Sequence, residues 1–174
     1  MNPSQDQIQL FEKLLSELQM LFPEHDLEGR SVPSDDFFVT IPADGLHPAV
    51  RLLLDEFDLY HLSTITGQAR EENLELLYHF WDRRGVTLRI LLPYDALAMP
   101  TLTDLIPGAA FYEREIQEML GVTFEGHPGP QRLLMPDDWQ GEHPLLPDLP
   151  DLPEHDEKGD DDEAVEKKKE RKRQ

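Results

Sequence analysis

The chain has 174 residues, 39% hydrophobic and 30% charged, with 36 Asp and Glu against 16 Lys and Arg and a net charge of −20. That length suits one domain with a tail, and the charge argues against nucleic-acid binding, which needs a concentrated basic surface. Cysteine is absent, which excludes disulfides, thiolate-held Fe–S clusters, Cys-type zinc sites and a cysteine nucleophile.

No apolar run approaches the ~20 residues of a membrane helix. The first residues have neither the basic nor the apolar region of a secretory leader, so none is expected. Ser4 can cap a first helix. Ile8, Phe11, Leu14, Leu15, Leu18, Leu21 and Phe22 recur at helical spacing, which predicts a helix over 5–22 that Pro23 ends. Residues 24–35 read as a loop. Phe37, Val39 and Ile41 alternate as a short strand closed by Pro42. Leu46, Val50, Leu53, Leu54 and Phe57 mark a second helix, with Pro48 tolerated in its first turn. Leu59, His61, Ser63 and Ile65 suggest a strand that ends at Gly67.

The clearest pattern follows. Leu74, Leu76, Tyr78 and Phe80 alternate with more polar neighbours, and Val86, Leu88, Ile90 and Leu92 do the same across a short connection at 82–85. This predicts a hairpin over 74–92. Residues 93–107 contain Pro93, Pro100 and Pro107 and read mostly as loop. Residues 108–120 predict a third helix, with Gly121 as its stop. Seven prolines between 126 and 153 exclude long regular elements there. That stretch still carries Leu133, Leu134, Met135, Trp139, Leu145 and Leu146, so it must lie against its own domain or another subunit. Residues 154–174 hold nine acids and seven bases with almost nothing apolar, which predicts a disordered tail, acidic and then basic. The remaining −18 belongs to 1–153. The order of elements predicts an α+β fold: a two-layer domain with a mixed or antiparallel sheet packed by helices. Three parts are expected: the domain at 1–125, an extended proline-rich interaction arm at 126–153, and the tail.

The seven histidines show no i, i+4 pair, so no helical metal site is expected. There is no G-x-G-x-x-G, P-loop or G-x-S-x-G. Glu113, Arg114 and Glu115 form the densest charged triplet in a helix and read first as a solvated face, with Arg114 and Glu118 as i, i+4 partners. Glu113 and Glu115 point about 200° apart around a helix, so they cannot flank one scissile bond. The residue chemistry alone points away from a self-sufficient enzyme.

Residues 111–128, Phe-Tyr-Glu-Arg-Glu-Ile-Gln-Glu-Met-Leu-Gly-Val-Thr-Phe-Glu-Gly-His-Pro, followed by Arg-Leu-Leu-Met-Pro-Asp-Asp-Trp at 132–139, resemble the signature of the C subunit of NADH:quinone oxidoreductase (respiratory complex I). Relatives occur in energy-converting membrane-bound [NiFe]-hydrogenases and other ion-translocating complexes. The resemblance implies a peripheral-arm subunit that is not catalytic alone and braces a hydrogenase-like large subunit, beside an Fe–S small subunit. It implies no cofactor on this chain. Fe–S clusters, and Ni–Fe or quinone, would belong to partner subunits. It places the chain at the cytoplasmic face of the membrane, held there only through the complex. Glu113, Arg114, Glu115, Glu118, Phe124, His127, Pro128, Arg132, Leu133, Leu134, Pro136, Asp137 and Trp139 become candidate interface residues. Glu118 stands where the family usually has Asp. Residues 142–148 replace the family's usual Pro-Leu-Arg-Lys-Asp ending, with two basic residues lost. That departure keeps a membrane-bound hydrogenase or related ferredoxin-linked complex open as an alternative. An alternative of another class is a stand-alone enzyme using Glu115 and His127 as a carboxylate–histidine pair.

Overall fold

The computed structural model describes residues 5–31, 36–82, 84–129 and 131–147. The expected cap at Ser4 and the expected tail at 154–174 lie outside them. The elements run α1 (Gln5–Leu21), β1 (Gly29–Ser31), β2 (Phe37–Thr40), a single 3-10 turn at Ala43–Gly45, α2 (Leu46–Phe57), β3 (Leu62–Ala69), β4 (Asn73–Trp81), β5 (Gly85–Pro93), β6 (Ala98–Pro100), α3 (Ala109–Leu120) and β7 (Thr123–Glu125).

Five strands form one mixed sheet in the order β1-β2-β5-β4-β3, and β6 pairs with β7 apart from it. The β4–β5 hairpin is the centre of the sheet. Its register sets Leu74 opposite Leu92, Leu76 opposite Ile90, Tyr78 opposite Leu88 and Phe80 opposite Val86. All eight side chains are buried. Burying a side chain of this size contributes roughly 1.5–3 kcal/mol relative to leaving it exposed. The two-residue period therefore fixes which face of the hairpin meets the helices. β2 joins β5 in parallel, with Val39 opposite Leu88. The helical layer lies on this apolar face. Leu14, Leu18 and Phe22 of the first helical segment and Leu46, Ala49, Val50 and Leu53 of α2 belong to the same core, and the Phe11 ring stacks on Phe37 at 4.7 Å.

The α+β architecture agrees with the expectation, and so does the hairpin, within a residue at each end. Three strands of three residues, β1, β6 and β7, fall where the sequence reads as loop or carries too few residues to show a period. β3 begins at Leu62 rather than Leu59, because Asp58 turns left-handed (φ 55°) to close α2. A bulge between Leu62 and Thr64 then buries Leu62 and Ile65 together. Strict alternation cannot anticipate that shift.

Candidate functional site

α3 presents two different faces. Ala109, Ile116, Met119 and Leu120 enter the core, and so does Glu113, which has no exposed surface. Its Oε1 accepts the Leu102 backbone N–H at 2.6 Å, and its Oε2 accepts the Thr101 hydroxyl. Burial pushes the Glu113 carboxyl above its ordinary pKa, partly offset by those two hydrogen bonds and by His127 and His47 nearby. The carboxylate ties α3 to the chain just after β6. His47, from the start of α2, reaches the same segment, with Nε2 2.6 Å from the Thr101 carbonyl and 3.3 Å from Asp104.

The other face of α3 holds the proline-rich arm. The Arg114 guanidinium donates to the carbonyls of Gln131 and Arg132 at 2.9 and 2.8 Å. One turn on, the Glu118 carboxylate accepts three successive backbone N–H groups, from Leu133, Leu134 and Met135, at 3.3, 2.7 and 3.0 Å. Slight burial raises its pKa, but these three bonds and the Arg132 charge outweigh it and hold the carboxyl below the ordinary range. Arg132 then donates to the carbonyls of Pro136 and Trp139. The arm returns to the end of the helix, where His143 Nδ1 meets the Glu118 carbonyl at 3.0 Å and the Leu145 N–H donates to the Met119 carbonyl at 2.8 Å. Gly121 makes this return possible. Its φ of +72° suits glycine, and a Cβ there would stand 2.7 Å from the His143 ring.

The arm is thus pinned by its backbone while part of its apolar surface faces outward. Leu134 is 58% exposed, Leu145 61%, Trp139 39%, and Phe111 at the start of α3 63%. Glu115, Pro128, Arg132, Pro136 and Asp137 are also exposed, and Leu133 and His127 are half-buried.

Two expected interface residues are corrected by this arrangement. Glu113 is neither a solvated nor an interface ion-pair residue, because its carboxylate is spent inside the domain. Phe124 is buried in β7 at 4% exposure, so it packs this chain's own core. The i, i+4 pairing expected of Arg114 and Glu118 gives way to bonds from each to the arm. His127, the histidine of the Glu115–His127 alternative, is held by other groups: its Nε2 meets the Ala110 carbonyl at 3.1 Å, and its Nδ1 accepts the Gly129 N–H at 3.1 Å. Both ring nitrogens are therefore occupied. Sequence reasoning missed Thr101 and Leu102, the partners of Glu113. A helical glutamate in register with four apolar core positions is the signal that could have found them. Among the described residues no group of three His, Cys, Asp or Glu could hold a metal ion.

Residues 39–154 match the pattern of the respiratory-chain NADH dehydrogenase 30 Kd subunit. The chain belongs to that family. The 30 Kd subunit relatives include the C subunit of NADH-quinone oxidoreductase from Roseiflexus castenholzii, 37% identical over 144 residues that cover 78% of this chain and 82% of the relative. The C/D subunit of NADH-quinone oxidoreductase from Aeromonas salmonicida is 41% identical over 100 residues, 52% of this chain and 16% of that longer protein. Among solved structures, a chain of the membrane-bound sulfane sulfur reductase, an archaeal respiratory membrane complex, has the same fold with a TM-score of 0.64. It is 24% identical and covers 90% of this chain and 89% of that one. As a member of the 30 Kd subunit family, this chain is a subunit of a multi-subunit respiratory complex. Among the described residues no helix is long and apolar enough to cross a membrane.

Proposed function

We propose that this chain is a bracing subunit of the peripheral arm of an NADH:quinone oxidoreductase-like complex, not catalytic by itself, and that it docks on a hydrogenase-like large subunit beside an Fe–S small subunit. One observation carries the reading: the proline-rich arm is bound to α3 through its backbone while Leu134, Trp139 and Leu145 remain outward. A rigid apolar ridge loses little conformational entropy on docking, which favours affinity. The Aeromonas relative, whose name pairs C with D, supports a close association of such a domain with the neighbouring subunit. In this reading the redox cofactors, Fe–S clusters and Ni–Fe or quinone, belong to partner subunits. The complex places the chain peripherally, at the cytoplasmic face. Residues 1–125 are the domain, 126–153 the interaction arm and 154–174 a charged tail. Arg114, Glu115, Glu118, His127, Pro128, Arg132, Leu133, Pro136 and Asp137 shape or rim the contact.

The test is affinity purification of the complex through this chain, with Leu134→Asp and Leu145→Asp combined. Both side chains are exposed, so the melting temperature of the isolated chain is expected to stay within about 4 °C of wild type. Recovery of the large subunit is expected to fall about tenfold or more, as hot-spot losses do. Undiminished recovery would overturn the arm as the docking element.

A further inference from the structure

We propose that the sheet face turned away from the helices is a second docking surface, and that the guanidinium groups of Arg70 and Arg89 receive an aspartate or glutamate side chain of a partner subunit there. The inference rests on this chain being a complex subunit and is independent of the arm.

The hairpin's alternation that buries Leu76, Tyr78, Leu88 and Ile90 sends Glu75, Leu77, His79 and Trp81 of β4 and Thr87, Arg89 and Leu91 of β5 to the opposite face. Among the described residues the helices pack on the apolar face, and the opposite one stays open: Leu91 on the central strand is 37% exposed and Trp81 49%. On this face, near the β3–β4 turn, Glu75 is only 5% exposed. Its Oε2 accepts Arg70 Nε and Nη2 at 3.0 and 2.8 Å, and its Oε1 accepts Arg89 Nε. Burial raises the Glu75 pKa, but the hydrogen bonds and charges of the two arginines outweigh it and leave the carboxyl below its ordinary value. Glu75 is therefore an anion between two cations, and the cluster carries one unbalanced positive charge.

That surplus stands out in a chain of net charge −20. Arg70 Nη1 and both Nη groups of Arg89 make no hydrogen bond among the described residues. The fork of a guanidinium fits a carboxylate in two parallel bonds. One surplus charge calls for one negative charge, which selects a carboxylate over a phosphate dianion. Other charges stand around it: Glu71 and Glu72 share the β3–β4 turn with Arg70 and are exposed there, Glu28 lies just before β1, and Asp36 accepts the Gly85 N–H at 2.9 Å. Arg30 lies over the Phe38 ring, 5.2 Å from its centroid. Screening over about 8 Å at physiological salt weakens the repulsion from the rest of the acidic surface. Leu91, opposite Glu75, and Leu77, opposite Arg89, border the cluster and supply apolar contact. The partner segment is thus an acidic residue flanked by apolar ones.

Gln68 and Leu91 oppose Glu75 from the two neighbouring strands. A photo-crosslinking amino acid at each position, in the complex assembled in cells, tests the proposal. Both positions are expected to capture one partner peptide that contains Asp or Glu. The combined Arg70→Gln, Glu75→Gln and Arg89→Gln variant removes the cations without stranding a buried charge, and is expected to lower adduct yield about tenfold. A capture peptide without an acidic residue, adducts only with lipid, or no adduct at either position would overturn it, whether or not the triple variant folds. So would an undiminished adduct yield in a folded triple variant. A crosslinker at Leu134 reads the arm separately, so failure of one surface is distinguishable from failure of the other.

Discussion

Glu113 sits among apolar side chains and yet carries the polar connection between α3 and the β6 segment. A buried carboxylate is tolerated when its oxygens find donors, and here one backbone N–H and one hydroxyl supply them. Removing it orphans the Leu102 N–H, leaves the Thr101 hydroxyl with Thr103 alone, and opens a cavity. Glu113→Ala is therefore expected to lower unfolding free energy by about 2–4 kcal/mol, read by urea denaturation. The pH dependence has a definite sign. Because the folded pKa is raised, the folded state holds more protons than the unfolded state between the ordinary carboxylate value and the raised one. Stability measured against Glu113→Gln should then fall as pH rises through that window. A flat or rising difference would contradict the burial-driven shift.

α3 and the arm behave as one element held by side chains from the helix and backbone from the arm. Glu118 is the most heavily used clamp, with three N–H groups on one carboxylate. Glu118→Ala is expected to speed amide hydrogen exchange at Leu133, Leu134 and Met135 by at least about tenfold, while amides of β4 and β5 keep their protection, since local opening need not involve the core. The lowered pKa of Glu118 gives the opposite sign to Glu113. Its contribution is complete above the ordinary carboxylate value and is lost as pH falls through the depressed folded value. Exchange at these three amides, corrected for the intrinsic pH effect, should rise on acidification over that range in wild type and not in Glu118→Ala.

Over the full chain, −18 of the −20 charge falls on residues 1–153. Self-repulsion of that size destabilises a compact state, and salt screens it. The denaturation midpoint of the isolated chain in urea should therefore rise between low salt and about 0.5 M sodium chloride, at a Debye length of a few ångströms. A midpoint that falls with salt would mean that attractive ion pairs, such as those of Arg70 and Arg89 with Glu75, outweigh the repulsion.

Much of this protein is legible without coordinates. The β4–β5 hairpin, the limits of α2 and α3, the glycine stop at Gly121 and the family resemblance of residues 111–139 all come from local pattern, because period, capping and turn chemistry act over a few residues. The fates of Glu113, Glu118 and Arg114 are not local. Three charged residues on one helix look alike in sequence, yet one is buried against Thr101 and two clamp the arm. The short strands β1, β6 and β7 exist because partners distant in the chain supply their hydrogen bonds. The order of residues alone was enough to set the amphipathic elements, the cysteine-free chemistry and the family. Which charges are spent inside, and which sheet face is left open, emerged with the packing, because burial and hydrogen-bond partnership belong to pairs of residues brought together by the fold.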